Sequence, residues 1–266
     1  HRRTRERTCE IMFETFNVPA MYVSPQPVLA LTASGAVSGL VLDSGVTNSQ
    51  CVPIYEQQIA THAIHKFGLG GRDLTNHMTQ ILKKQGYRFS KKEEPKIVRD
   101  IKEKLGYVAI DYEEELKLSE TSTEVTKSYE LPDGEIISID VERFKCPEAF
   151  FKPLMVKKDI DGIHKVVYDS IMMCDDDEDI RKELFGNIVV CGGSSLFPGF
   201  ADRLKKEVSK LVEDNTSINI VEPLGRRFSV WTGGSVLASL STFQQKWVTK
   251  SDYDENGPSI VHDRCC

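Results

Sequence analysis

An α/β protein is predicted from three observations. First, residues 187–221 read as a parallel βαβ unit. Asn187-Ile188-Val189-Val190-Cys191 is a buried strand, Gly192-Gly193-Ser194-Ser195 a tight turn, and residues 199–213 a helix with Phe200, Leu204, Val208, Leu211 and Val212 on one face. Ile218-Asn219-Ile220-Val221 is the returning strand. Second, 40% hydrophobic and 28% charged residues in a chain of 266 match a folded globular composition, which excludes wholesale disorder as well as collagen, coiled-coil and low-complexity classes. Third, mean hydropathy is −0.31, no apolar run approaches a membrane span and no stretch reads as a secretory signal. A mass of 30.0 kDa is one large domain or two ordinary ones.

In chain order, Cys9, Met12, Phe13 and Phe16 fall at i, i+3, i+4 and i+7, predicting an amphipathic helix over 7–16 with Arg2, Arg3, Arg5 and Arg7 as its solvated approach. Gly39-Leu40-Val41-Leu42 and Cys51-Val52-Pro53-Ile54-Tyr55 read as strands of a hairpin. Between them, Asp43-Ser44-Gly45 is either a plain turn or a carboxylate placed to hold a metal-bound water or phosphate. Residues 72–84 and 95–106 look helical, and residues 129–139 read as two short strands about Leu131-Pro132-Asp133-Gly134. The acidic run Asp175–Asp179 lacks the spacing and glycine of a calcium loop and is expected to charge the start of the next helix. In the βαβ unit, ligands would bind at the carboxyl ends of the strands, where a Gly-Gly turn permits close backbone approach; a plain tight turn is the equal alternative.

Net charge is −6, from 34 basic and 40 acidic residues, which argues against a duplex nucleic-acid binder. The seven cysteines include no CxxC, and no histidine stands at metal-ligand spacing, so reduced thiols in a cytosolic or nuclear protein are expected. Cys265-Cys266 is not a prenylation box. The chain opens on His1 rather than Met, which predicts a processed, partial or truncated chain.

Several long strings then carry a resemblance. They are Glu10 to Asn17 (EIMFETFN), Gly71 to Thr75 (GRDLT), Ile97 to Leu105 (IVRDIKEKL), Ser128 to Gly134 (SYELPDG), Leu237 to Gln245 (LASLSTFQQ) and Gly257 to His262 (GPSIVH). The sequence resembles the actin family along its whole length, and corresponds to roughly the C-terminal two-thirds of an actin. The resemblance implies the fold shared with sugar kinases and heat-shock chaperones, two α/β halves with nucleotide between them, here incomplete. By that likeness residues 34–69 and 159–228 make subdomain 3, residues 70–158 subdomain 4, and residues 1–33 and 229–266 a remnant of subdomain 1. The first phosphate hairpin and subdomain 2 have no counterpart. The apolar faces of helix 7–16 and of the segment from Trp231 to Trp247 are therefore expected to lie uncovered.

The resemblance also assigns sites. Gly71 stands beside the nucleotide sugar, Arg99, Lys102 and Glu103 border adenine and ribose, and Gly192, Gly193 and Ser194 lie under adenosine and phosphates. The spacing of Arg99, Lys102 and Glu103 alone predicts one helix face. Leu196 and Phe197 replace a Met and a Tyr, and Arg227 replaces a Lys beside the base, where a planar cation can stack. The second phosphate loop of the family reads Asp, small, Gly, Asp, Gly, Val. Here it reads Asp43-Ser44-Gly45-Val46-Thr47-Asn48, keeping Asp43 and Gly45 but losing the second acid, which helps hold a hydrated divalent cation, and the second glycine. Asp43 is left as a metal contact through water. Gln26 matches the water-orienting glutamine but lies between Pro25 and Pro27, and Gln50 replaces a histidine near that water.

Assembly surfaces are altered in the same way. The stretch matching the apolar plug, Leu154 to Ile160, is half charged. The cleft for partner helices keeps Gly35, Leu237, Leu240 and Thr242, but Thr32, Val37 and Lys246 replace an aromatic, a threonine and a methionine. The expectation is an actin-like cytoskeletal or scaffold subunit, cytoplasmic, with ATP or ADP and Mg or Ca bound weakly or in dependence on a partner, as a structural ligand, and hydrolysis impaired or absent. Its partners would be actin or actin-like protomers, actin-binding proteins or a larger assembly, with no direct nucleic acid or membrane contact. The alternative is a conventional polymerising, ATP-hydrolysing actin whose N-terminal part lies outside this sequence.

Overall fold

The computed structural model describes residues 2–174, 177–213 and 215–265. Contacts divide the chain into two units, residues 1–36 with 229–266 and residues 37–228. The chain begins in the first with α1 (Arg2–Glu10), which runs on as a π turn over Ile11–Thr15. β1 (Ala20–Met21) and α2 (Gln26–Ser34) follow. The predicted helix thus starts earlier, and Arg2 to Arg7 lie within it. The π turn, marked by Phe16 N–H donating to Ile11 C=O at 3.1 Å, breaks the 3.6-residue phase, so Phe13 is buried while Phe16 is 66% exposed.

The second unit carries a six-stranded mixed sheet. Its strands are β2 (Gly39–Ser44), β3 (Ser49–Tyr55), β4 (Gln58–Ile59) and β5 (His65–Phe67), joined later by two more. Helices α3 (Gly71–Lys84), α4 (Glu94–Leu105) and α5 (Tyr112–Thr121) come next, then a hairpin of β6 (Lys127–Glu130) and β7 (Ile136–Ile139). Helices α6 (Glu142–Glu148), α7 (Ile163–Met172) and α8 (Glu178–Phe185) lead into β8 (Ile188–Cys191), α9 (Phe200–Ser209) and β9 (Ile220–Val221). The sheet order is β4-β3-β2-β8-β9, with β5 also on β3. β2 pairs antiparallel with β3, and parallel with β8, which pairs parallel with β9. β2 is central and almost wholly buried, as its apolar run requires.

The core of this unit joins the sheet residues Leu40, Leu42, Ile188 and Val190 to the helix stripes Leu74-Met78-Leu82, Val98-Ile101 and Phe200-Leu204-Val208. The returning strand of the βαβ unit is shorter than predicted, and Leu211 and Val212 lie beyond the end of α9. Asp177 caps α8, accepting from Asp179 N–H at 2.9 Å, with Glu178 and Asp179 in its first turn. The acidic run does charge this helix start, although Asp175 and Asp176 lie outside the described residues.

The chain returns to the first unit with α10 (Ser229–Ser239), β10 (Val248–Thr249), α11 (Lys250–Asn256) and α12 (Val261–Arg264). α10 packs on α2 so closely that a Cβ on Gly233 would lie 1.7 Å from the Leu29 carbonyl oxygen. The expectation of an uncovered face on helix 7–16 is corrected. Cys9 and Phe13 are buried with Val248, Tyr253, Val261 and Cys265, and Phe13 stacks on Tyr253 at 4.8 Å. Residues 248–265 supply the cover. Trp231, by contrast, is 76% exposed. Among the described residues no helix is long and apolar enough to cross a membrane.

Candidate functional site

Three segments of the second unit meet at the carboxyl end of β2: the β2–β3 turn, the start of α3 and the turn after β8. The β2–β3 turn is closed by Gly45 N–H donating to Asn48 C=O at 3.0 Å. Its carbonyls cap α3, with Gly71 N–H donating to Gly45 C=O at 3.0 Å and Arg72 N–H to Val46 C=O at 2.8 Å. Ser194 Oγ donates to the Gly45 carbonyl at 2.7 Å and ties in the third segment. The approach demands glycine. A Cβ on Gly70 would meet Val46 O at 2.8 Å, and one on Gly71 would meet Ser194 Oγ at 2.6 Å. Gly192, at φ +89, would place a Cβ 2.2 Å from the Ser44 carbonyl.

The meeting point walls a cleft of about 770 Å³. Of the residues predicted from the resemblance, Gly45, Gly71, Arg99, Lys102, Glu103, Gly193, Ser194, Leu196, Phe197 and Arg227 line it. Asp43 and Gly192 do not; they lie side by side behind the wall, where a Cβ on Gly192 would be 2.8 Å from Asp43 Oδ1. Asp43 accepts from Gln50 Nε2 at 3.4 Å and stands opposite Cys191 in the parallel β2–β8 ladder, where burial first and that carboxylate second push the thiol pKa up. Gln26 opens α2 in the other unit, with Pro25 as its extended N-cap. The cleft-matching group Gly35, Leu237, Leu240 and Thr242 also belongs to the first unit. Gly35 ends α2 at φ +79, Leu237 is on α10, and Leu240 and Thr242 follow it exposed. In the plug-matching stretch, Leu154 is 72% exposed.

Arg99, Lys102 and Glu103 share a face of α4 but divide its work. Lys102 is buried and donates from Nζ to Gly71 C=O at 2.9 Å and to Thr75 Oγ1 at 3.0 Å. Burial lowers its pKa, since the ammonium has given up water for two neutral acceptors. Arg99 and Glu103 remain exposed and pair at 2.8 Å, which raises the Arg99 pKa.

Sequence reasoning missed Val46, Arg72, Thr75, Asn76 and Pro95 as wall residues. A signal existed for two of them. Pro95, Arg99 and Glu103 recur every fourth residue on one face of α4, and Thr75 stands four after Gly71 on α3. The lining holds Arg72, Arg99, Lys102 and Arg227 against one carboxylate, Glu103, in a chain of net charge −6. Such an imbalance in a partly desolvated recess favours an anionic ligand. The amide of Val46, a lining residue, donates to no acceptor among the described residues, so the turn keeps a free backbone donor at the wall. Leu196, Phe197 and Pro95 offer an apolar surface to a flat ring.

These features fit a nucleotide. They do not form a metal cage: the one carboxylate of the lining is engaged with Arg99, and no cluster of three or more His, Cys, Asp or Glu side chains fit for a metal occurs among the described residues. A divalent cation here would rely on phosphate oxygens and water. A family model described as Actin matches residues 1–266.

Proposed function

The chain belongs to the actin family, and from that premise we propose that it is an actin-like cytoskeletal or scaffold subunit that holds ATP or ADP as a structural ligand. The observation that carries the reading is the wall of four cations and one carboxylate beside an apolar shelf. Leu196 and Phe197 take the base, with Arg227 against it. Arg99, Lys102 and Glu103 border the base and ribose, and Gly193, Ser194 and the Val46 amide lie toward the phosphates. Residues 34–69 and 159–228 correspond to subdomain 3, and residues 70–158 to subdomain 4.

Hydrolysis is impaired in this proposal. Val46, 60% exposed, stands in the lining at a place where the family carries an acid, so no carboxylate of the turn can order water or a phosphate-bound cation there. Its partners are other actin-like protomers and actin-binding proteins in the cytoplasm, with no direct nucleic acid or membrane contact.

The test is titration of the chain with a fluorescent ATP analogue, with phosphate release followed in parallel. Saturable binding competed equally by ATP and ADP is expected, with phosphate release at background. Absence of saturable binding overturns the nucleotide assignment, and steady release overturns the structural role.

A further inference from the structure

We propose that the corner formed by the end of α3 and the start of α4 is a docking surface for a carboxylate-rich segment of a partner protein. Residues 83–96 carry six cations against two carboxylates, Glu93 and Glu94, within a chain that is acidic overall. All six cations are exposed. Lys83 pairs with Glu94 at 2.8 Å, but Lys84, Arg88, Lys91, Lys92 and Lys96 enter no ion pair among the described residues. Elsewhere some cations close i to i+4 pairs, as in Lys104–Asp100 and Lys182–Glu178. Unpaired ones such as Lys66, Lys117, Lys127 and Lys205 stand on separate elements, so the corner is set apart by clustering.

The corner is held in shape. Tyr87 and Phe89 are partly buried and pack against the core, and Tyr87 OH donates to the Ser138 carbonyl at 2.6 Å. Arg88 between them points outward and donates to the Lys83 carbonyl at 3.0 Å. The cations at the α4 end also stand against the local field. Lys91, Lys92 and Lys96 gather at the positive pole of that helix, where lysine is electrostatically unfavourable. Like charges held together on an anchored turn favour a partner of opposite sign.

The partner class follows from what the corner lacks. No large apolar side chain is exposed within residues 83–96, so the inserting group that stabilises attachment to an anionic bilayer is missing. The two aromatic rings are half-buried against the core, so neither offers a fully open face on which an unpaired base could stack. Side-chain ammonium groups facing carboxylates need neither.

The experiment measures anisotropy of a labelled oligoglutamate peptide with the full chain, alongside phosphatidylserine vesicles and single-stranded DNA. One variant carries Lys84→Gln, Lys91→Gln, Lys92→Gln and Lys96→Gln. A control of equal charge carries Lys66→Gln, Lys117→Gln, Lys127→Gln and Lys205→Gln, at exposed unpaired sites on other elements. The peptide should bind the native chain and the control equally, weaken with added salt, and lose about tenfold in affinity for the first variant. An equal loss in both variants, no loss in either, or binding to vesicles or DNA without the peptide overturns the proposal.

Discussion

The second unit holds two charged recesses that have used their charges in opposite ways. The cleft at the end of β2 leaves Arg72 and Arg227 without ion-pair partners among the described residues, and Lys102 with neutral ones. The other, about 390 Å³, is lined by Asp111, Glu113, Lys152, His164, Arg203, Glu207 and Lys210 with two aromatic rings. There Arg203 is buried and saturated. It binds Glu148 through Nη1 and Nη2 at 3.0 and 3.2 Å, Glu207 at 2.7 Å and the Ala109 carbonyl at 2.8 Å, over the Phe151 ring. Lys210 takes the second oxygen of Glu207 at 2.8 Å. Charges that satisfy one another internally fix the position of elements; charges left facing a recess are available to a ligand. Charge sign already separates the two, four cations facing one carboxylate in the cleft and three facing three in the other recess, and the pairing shows why.

The largest expected effect lies in the saturated recess. Arg203→Met leaves Glu148 buried without its main partner, and burial already raises that carboxyl pKa. Urea unfolding should show a loss of about 3–5 kcal/mol, and a combined Arg203→Met, Glu148→Leu variant should regain most of it. If the double variant is no more stable than the single, the charges are not acting as a pair.

Lys102→Met should behave in the opposite sense. Stability at neutral pH should change by less than about 1 kcal/mol, because the stem is retained and a desolvated ammonium removed, while nucleotide affinity falls by about tenfold or more. The pH dependence carries a further sign. The Lys102 pKa is lowered in the folded state, so between that value and the ordinary 10.5 the unfolded chain binds the extra proton and stability rises with pH. Tyr129 and Tyr253, each pushed up to about 12, slope the other way above pH 10. Subtracting the Lys102→Met curve from that of the native chain isolates the lysine contribution, which should be positive. The smallest change is expected from Arg227→Ala on the exposed rim: unchanged unfolding, and an affinity loss of about threefold from one cation beside a ring.

The parts of the fold written locally were legible. The β8–α9 crossover, the β2–β3 hairpin and the spans of α3 and α4 follow from apolar periodicity and glycine placement. Elements set by other means were not. α5 buries no residue and so shows no stripe. The β3–β4 turn places Glu56 and Gln57 at φ +46 and +65, a left-handed pair that an Asn-Gly sequence would have announced and Glu-Gln does not. In the site, spacing placed Arg99, Lys102 and Glu103 on one face but could not show that Arg99 and Glu103 close on each other, leaving Lys102 to the wall. The placement of Asp43 behind that wall depends on its ladder pairing with Cys191, far along the chain.

Helix α3 has its first turn clamped by the carbonyls of Gly45 and Val46 and its last turn in the basic corner. Its 14 residues make a strut of about 21 Å. The same helix is packed along its length, with Leu74, Met78 and Leu82 in the core between the two ends. One continuous helix thus joins the cleft wall to the basic corner, so a substitution that broke α3 at its middle would disturb both ends together.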